Sequence, residues 1–385
     1  MTLFPSCQRE STLPWSPVTV NDQRMEFVAL ARQAESNIAE LCRRFAISRK
    51  TGYKWLGRES SDDSSRRPLN TPTRTLSDIE AKVVAVRTAH PAWGGRKISH
   101  VLQRDDSIEL APSTVTSVLH RHGLIRPEDS AASKAWERFE HDKPNALWQM
   151  DFKGWVSLGE GRLNPLTVID DHSRFNIVLD ALPGQTGLLV QPALRKAFER
   201  YGLPDRINTD NGAPWGSGGQ GITALGIWLV RLGIHVSHSR PHHPQTNGKD
   251  ERFHRTLLAE VMSRKQFDDI ATAQLAFDHW RTIYNCKRPH EALSMQTPVE
   301  RYRPSRRALP RSLPPIEYGP NDIVRNVQAC GIVKYKRLRL RTSYALHGQR
   351  VALRPVQDQD GVYDVFFCHQ RVDRFDLNKV KSSQT

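Results

Sequence analysis

"LWQMDFKGWVSLGEGRLNPLTVIDDHSRFNIVLDAL", residues 147–182, holds three strand-like runs joined by short turns at Gly159-Glu160-Gly161 and Asp171-His172-Ser173. In the first run Trp148, Met150 and Phe152 share one face, and Gln149 and Asp151 share the other. A carboxylate inside so apolar a strand is costly unless something pairs with it. Three antiparallel strands open a region that continues with helices and strands in alternation: a helix over about 188–201 with Pro192 in its first turn, a strand "RINTD", a helix around 222–233, a strand "IHVSH", a basic helix after 248 and a last helix over 268–285. That order predicts a layered α/β domain over 144–302.

The flanking regions differ in kind. Residues 1–20 form a Pro/Ser tail, and 21–58 are helical, with "SNIAELCRRFAISRKTGYKWL" read as helix, turn and helix. Ile38 and Leu41 pack inside, and Ser48 caps a second helix bearing Arg49, Lys50, Tyr53 and Lys54, which a helix-turn-helix would lay in the major groove. A polar linker spans 59–74. A second helix-turn-helix-like unit spans 75–126; Ser77 and Glu80 fit a capping box, a later helix starts at Pro112-Ser113, and Arg96 and Lys97 are candidate DNA contacts. Residues 127–143 are a charged linker and 303–317 a Pro/Arg linker. Residues 318–381, in short strands, are enough for a small β-barrel.

The 385 residues carry 56 Lys+Arg against 41 Asp+Glu, a net charge of +15 that favours a polyanionic partner, nucleic acid first. The five cysteines are scattered without CxxC spacing and suit a reducing compartment, with no zinc site. No run approaches a membrane span, so the expected setting is cytoplasmic, with no membrane partner.

Asp151 has two possible companions. Asp210 ends "RINTD" and projects from a strand's C-terminal end, where α/β sites form. Glu251 sits in the first turn of a helix whose buried stripe is Phe253, Leu257 and Val261; it points away from that stripe, with His254 and Arg255 on its own side. Three converging carboxylates suit hard divalent cations, Mg²⁺ or Mn²⁺. Two such ions about 3.5–4 Å apart activate an attacking hydroxyl and stabilise a leaving oxygen.

The series "WQMDF … INTDNG … HPQTNGKDERFHRTL" resembles the integrase-like DDE transposases of bacterial insertion sequences, relatives of retroviral integrase. The resemblance implies a ribonuclease-H-like core, paired N-terminal helix-turn-helix units matching 24–125, and a core closing at "TPVERY" (297–302). It implies catalytic and metal roles for Asp151, Asp210 and Glu251, two Mg²⁺ or Mn²⁺ ions per site, and joining of 3′-hydroxyl ends to target DNA by a homo-oligomer on double-stranded DNA. In the turn before the glutamate, Pro244, Gln245, Asn247 and Gly248 match; Gln245, Asn247, Lys249, His254 and Arg255 are candidate DNA contacts. Asp210 and Glu251 are 41 positions apart, wider than the family's commonest spacing, and "GSGGQG" holds the excess. Leu258 stands where many relatives have a basic residue, which leaves His254 or Arg255 for that role. A repressor with a degenerate core and a structure-specific nuclease are the alternative readings.

Overall fold

The computed structural model describes residues 19–63, 74–125, 140–216, 221–239 and 248–382, the side chains of the last three residues excepted. The chain divides into two compact units, residues 1–74 and 75–385.

In the first unit, α1 (Val20–Ala31), α2 (Ile38–Arg44) and α3 (Arg49–Leu56) each begin on a polar cap. Thr19 and Asp22 form a capping box, Asn37 accepts from Ala39 and Glu40 N–H, and Ser48 accepts from Thr51 N–H. The helices meet over Phe27, Ala31 and Cys42, with Ile38, Leu41 and Phe45 partly buried beside them. Close approach requires Gly52: a Cβ there would lie 2.6 Å from Cys42 Sγ. α1 begins one residue ahead of the expected helical region 21–58.

The second unit opens with α4 (Ser77–Ala89), α5 (Gly95–Asp106) and α6 (Pro112–Arg121), packed around Val83, Trp93, Ile98, Leu102, Val115 and Leu119. The expected Ser77/Glu80 capping box does not form. Leu76 occupies the cap position without a side-chain bond, and Glu80 instead turns inward to Arg121 (2.6 Å) and His122 (3.1 Å).

The central sheet runs β4-β3-β1-β5-β6, from β1 (Trp148–Phe152), β3 (Arg162–Asp170), β4 (Asn176–Leu182), β5 (Arg206–Thr209) and β6 (His235–His238); the short β2 (Val156–Ser157) pairs with the start of β3. β1, β3 and β4 are antiparallel, whereas β5 and β6 run parallel to β1. Helices α7 (Gly187–Tyr201) and α8 (Ala224–Arg231) cover the face bearing Trp148 and Met150. On the other face lie α9 (Gly248–Leu257), continued by a π turn at Leu258–Met262, and α10 (Ile270–Cys286). The short α11 (Pro298–Arg301) follows, with a Thr297/Glu300 capping box. Pro192 is the sixth residue of α7, in its second turn rather than its first, so that the bond to the Leu188 carbonyl is missing. The mixed sheet with helices on both faces is the layered α/β architecture expected.

Residues 303–317 run against this core: Arg307 N–H groups donate to the carbonyls of Pro204, Leu232 and Gly233, and its own carbonyl accepts from Leu203 N–H. Beyond them β7 (Ile323–Gln328), β8 (Ile332–Tyr335), β9 (Leu338–Arg341), β10 (Arg350–Pro355), β11 (Val362–Phe367) and β12 (Gln370–Asp376) form one antiparallel sheet in the order β12-β11-β10-β7-β8-β9. The sheet is open at β9 and β12, where a closed barrel was expected, and β7 adds a strand that the sequence pattern does not separate. α8 serves both sheets. Its Leu225, Trp228 and Leu229 enter the central core, and Ile227 and Val230, with neighbouring Ile222, enter the C-terminal one.

Candidate active site

β1 and β5 pair in parallel with Trp148 opposite Ile207 and Gln149 opposite Asn208. Asp151 lies two residues beyond the last such pair on β1 and Asp210 just past the end of β5, and the Asp210 charge acts on Asp151. Successive residues of a strand point to opposite faces. Asp151 therefore lies on the side opposite Trp148 and Met150, where α9 crosses β1 and β3.

Two interactions fix α9 there. His254, buried on the helix, brings Nε2 to 2.8 Å from Thr167 Oγ1, and Thr167 faces Asp151 in the β1–β3 ladder. Since the Thr167 hydroxyl donates to the Asp151 carbonyl (3.0 Å), it must accept from an Nε2–H tautomer of His254. One turn earlier, the Lys249 ammonium meets the Asp171 carboxylate in an ion pair and donates to the Asp171 carbonyl at 3.1 Å. Gln149 on β1 donates to the same carboxylate oxygen, Asp171 Oδ1, at 2.8 Å.

Asp151, half-buried, has its carboxyl pushed up to about 6. Burial is the main cause; the Phe152 N–H bond opposes it, and the charges of Asp210 and Glu251 add to it. Asp151 therefore senses both other members of the acidic trio. Each aspartate also gives an oxygen to its own loop: Asp151 Oδ1 accepts from Phe152 N–H at 2.8 Å, and Asp210 Oδ1 from Gly212 N–H at 3.0 Å. Among the described residues no three His, Cys, Asp or Glu side chains are gathered tightly enough to grip an ion as they stand. Glu251 itself is exposed.

The candidate DNA contacts divide. Arg49, Lys50, Tyr53 and Lys54 are exposed on α3, Arg255 on α9 and Arg96 on α5, the last 3.4 Å from Glu291. Lys97 is largely covered, and burial with Arg288 nearby lowers its affinity for a proton. Lys249 is engaged with Asp171, and burial first, then Arg174, brings it down to about 8. His254 does not share the exposed side of Glu251; burial pulls its imidazole down to about 3, and it faces the sheet as a neutral ring. Gln245 and Asn247, like His242, His243 and Pro244, lie outside the described residues. Asp250, Asp171 and Thr167 belong to the site as well, and no motif or spacing in the sequence singles them out.

Two profiles described as "Integrase core domain" match residues 141–244 and 232–298, and one described as "IS481 family transposase, C-terminal domain" matches 322–383. Among curated proteins, the chain is 27% identical over 233 residues to an insertion element IS476 uncharacterized 39.2 kDa protein of Xanthomonas euvesicatoria, covering 60% of this chain and 66% of that one. It is 30% identical over 157 residues to an insertion element IS407 uncharacterized 31.7 kDa protein of Burkholderia multivorans, covering 41% of this chain and 55% of that one. The chain thus spans under two thirds of the length of either relative. Among solved structures, the HTLV-2 integrase catalytic core domain in complex with magnesium aligns over 42% of this chain and 99% of its own, at 17% identity and a TM-score of 0.32. A simian T-cell lymphotropic virus intasome aligns over 76% of this chain and 99% of that chain, at 17% identity and a TM-score of 0.37. With integrase-core profiles matching 141–298 and the C-terminal domain profile of IS481-family transposases matching 322–383, the chain is similar to the integrase-like transposases of bacterial insertion sequences.

Proposed function

We propose that the chain is a metal-dependent polynucleotidyl transferase that binds the ends of a mobile element, cleaves them and joins the freed 3′-hydroxyls to target DNA. The observation that supports this reading is that β1 and β5 pair in parallel just before Asp151 and Asp210, with the charges of Asp210 and Glu251 both acting on Asp151. The donor set fits hard divalent cations: carboxylates only, close enough that the charges of two raise the third. Asp151, Asp210 and Glu251 would hold two Mg²⁺ or Mn²⁺ ions, which when bound supply Lewis acidity at the scissile phosphate. In the first step water attacks the phosphorus, the P–O3′ bond breaks and the 3′-oxygen leaves as a hydroxyl. In the second that hydroxyl attacks a target phosphodiester, whose own 3′-oxygen leaves, and neither step forms a bond between DNA and protein.

The chain's own residues set the stage for both steps. β1 carries Asp151 and β5 leads into Asp210, and the His254–Thr167 bond fixes the rotation of α9 and so the place of Glu251. The exposed Arg255 lies one turn beyond Glu251, suited to a DNA phosphate. In the first unit, capped α3 with its exposed basic residues supports a helix-turn-helix role, and 75–126 a second such unit. The basic C-terminal module and a homo-oligomer on paired DNA ends complete the assembly, which places the protein in the bacterial cytoplasm and on the nucleoid when bound to DNA. Asp151→Asn, Asp210→Asn and Glu251→Gln should each abolish Mg²⁺-dependent strand cleavage and leave end binding intact. Substantial cleavage by any one of them would remove that residue from the ligand set.

A further inference from the structure

Asp250 is 1% exposed, and among the described residues neither of its carboxyl oxygens has a hydrogen-bond donor. The charges that act on it are those of Asp151, Asp171 and Glu251, all acidic. The nearest basic side chain in sequence, Lys249, is already engaged with Asp171. A carboxylate out of water with neither donor nor counter-charge among the described residues is among the costliest features a fold can carry. Its position is tightly defined: Asp250 and His254 stand four residues apart on one face of α9, and His254 is bonded to the sheet at Thr167. Asp250 therefore lies over the β1 face that bears Gln149 and Asp151, inside the exposed Glu251 that follows it.

We propose that Asp250 is a fourth carboxylate ligand of the divalent-cation site, closing with Asp151 the buried side of a cation that Asp210 and Glu251 approach from the solvent side. This inference rests on the metal site of the proposed function and adds a ligand to it. A divalent cation accepts several carboxylate oxygens and supplies the counter-charge that Asp250 lacks. The backbone N–H groups of Phe152 and Gly212 each bond only Oδ1 of Asp151 and Asp210, which leaves the other carboxylate oxygen of each for the cation.

The test uses the full chain and Mn²⁺ alone, with free ion followed by electron paramagnetic resonance and melting measured with and without metal. Asp250→Asn keeps the shape and should melt no lower than wild type without metal. Its Mn²⁺ affinity should fall on the order of tenfold or more, with a smaller rise in melting temperature on adding Mn²⁺. Asp250→Glu, which retains a carboxylate, should recover part of that affinity. Wild-type Mn²⁺ binding by Asp250→Asn, beside a loss in Asp151→Asn, would overturn the fourth ligand and leave the site of the proposed function standing. Wild-type binding by Asp151→Asn as well would refute the site itself. If Asp250→Asn and Asp250→Glu both melt lower without metal and neither changes Mn²⁺ affinity, Asp250 serves folding alone and the inference fails.

Discussion

His254 Nε2 and Thr167 Oγ1 lie 2.8 Å apart, and through the Thr167 hydroxyl the helix of Glu251 is bonded to the backbone of Asp151. Cutting this strut should loosen the site from a distance. His254→Ala removes the bond into the Thr167 hydroxyl, at a cost of about 0.5–1.5 kcal/mol in stability. Cleavage should fall further than end binding. Denaturant titration checks the first expectation, and equal losses of cleavage and binding would contradict the second.

The same histidine makes the fold sensitive to acid. Folded, its imidazole resists protonation until about 3; unfolded, it takes a proton near about 6.5. Its contribution is therefore complete above about pH 6.5 and drains away as pH falls towards the folded value. Asp151 works in the opposite sense. Raised to about 6 in the fold, it takes its proton before the unfolded chain does, and so favours the folded state on acidification from about 6 to its ordinary value near 3.9. His254→Gln should lose less stability than wild type between pH 7 and 5, measured by urea denaturation. Parallel pH curves would show that His254 is not the group responsible.

Gly95 should be intolerant of alanine although alanine favours helices. A Cβ there would lie 2.3 Å from Thr116 Oγ1 and 2.6 Å from the Pro112 carbonyl oxygen, forcing α5 away from α6. Gly95→Ala should lower the melting temperature, whereas Gly94→Ala, which meets nothing within 4 Å, should change it little. Comparable melting of the two variants would argue against that close crossing.

Arg49 and Lys50 open α3 and are exposed. Their joint change to Ala should weaken binding of the whole chain to element-end DNA and flatten its salt dependence, by about 0.9 in log–log slope for each phosphate no longer neutralised. An unaltered slope would remove α3 from the DNA interface.

The strands of residues 147–182 are legible in their pattern because alternation is local: each apolar side chain pairs with a strand neighbour whatever the rest of the chain does. Asp151 stands out for the same reason, and Asp210 because a strand ends on it. The run "GKDERFHRTL" is harder. Its charges suggest a solvated helix, yet the helix is rotated so that Asp250 and His254 face the sheet while Glu251 and Arg255 face out. That rotation is set by Thr167 and Asp171, about 80 residues earlier, and spacing within the helix does not encode it. Glu80 teaches the same lesson. It matches a capping box locally, but a salt bridge to Arg121, 41 residues away, claims it. The open edges of the C-terminal sheet escape the sequence because closure depends on how far a sheet curls, which strand composition does not specify.

α8 gives one face to each sheet. A helix so shared is a common wall, and a common wall makes two rooms into one building. Ser343 is bonded through its hydroxyl to the Ile222 carbonyl at 2.6 Å, and Gln370 bonds both backbone groups of Val236 on edge strand β6 at 2.8 Å. Removing the C-terminal sheet would bare Ile222, Ile227 and Val230 and reopen a strand edge able to recruit another chain. The C-terminal module is thus part of what keeps the catalytic core folded and discrete, and a core cut free at residue 317 should aggregate where the whole chain stays dispersed.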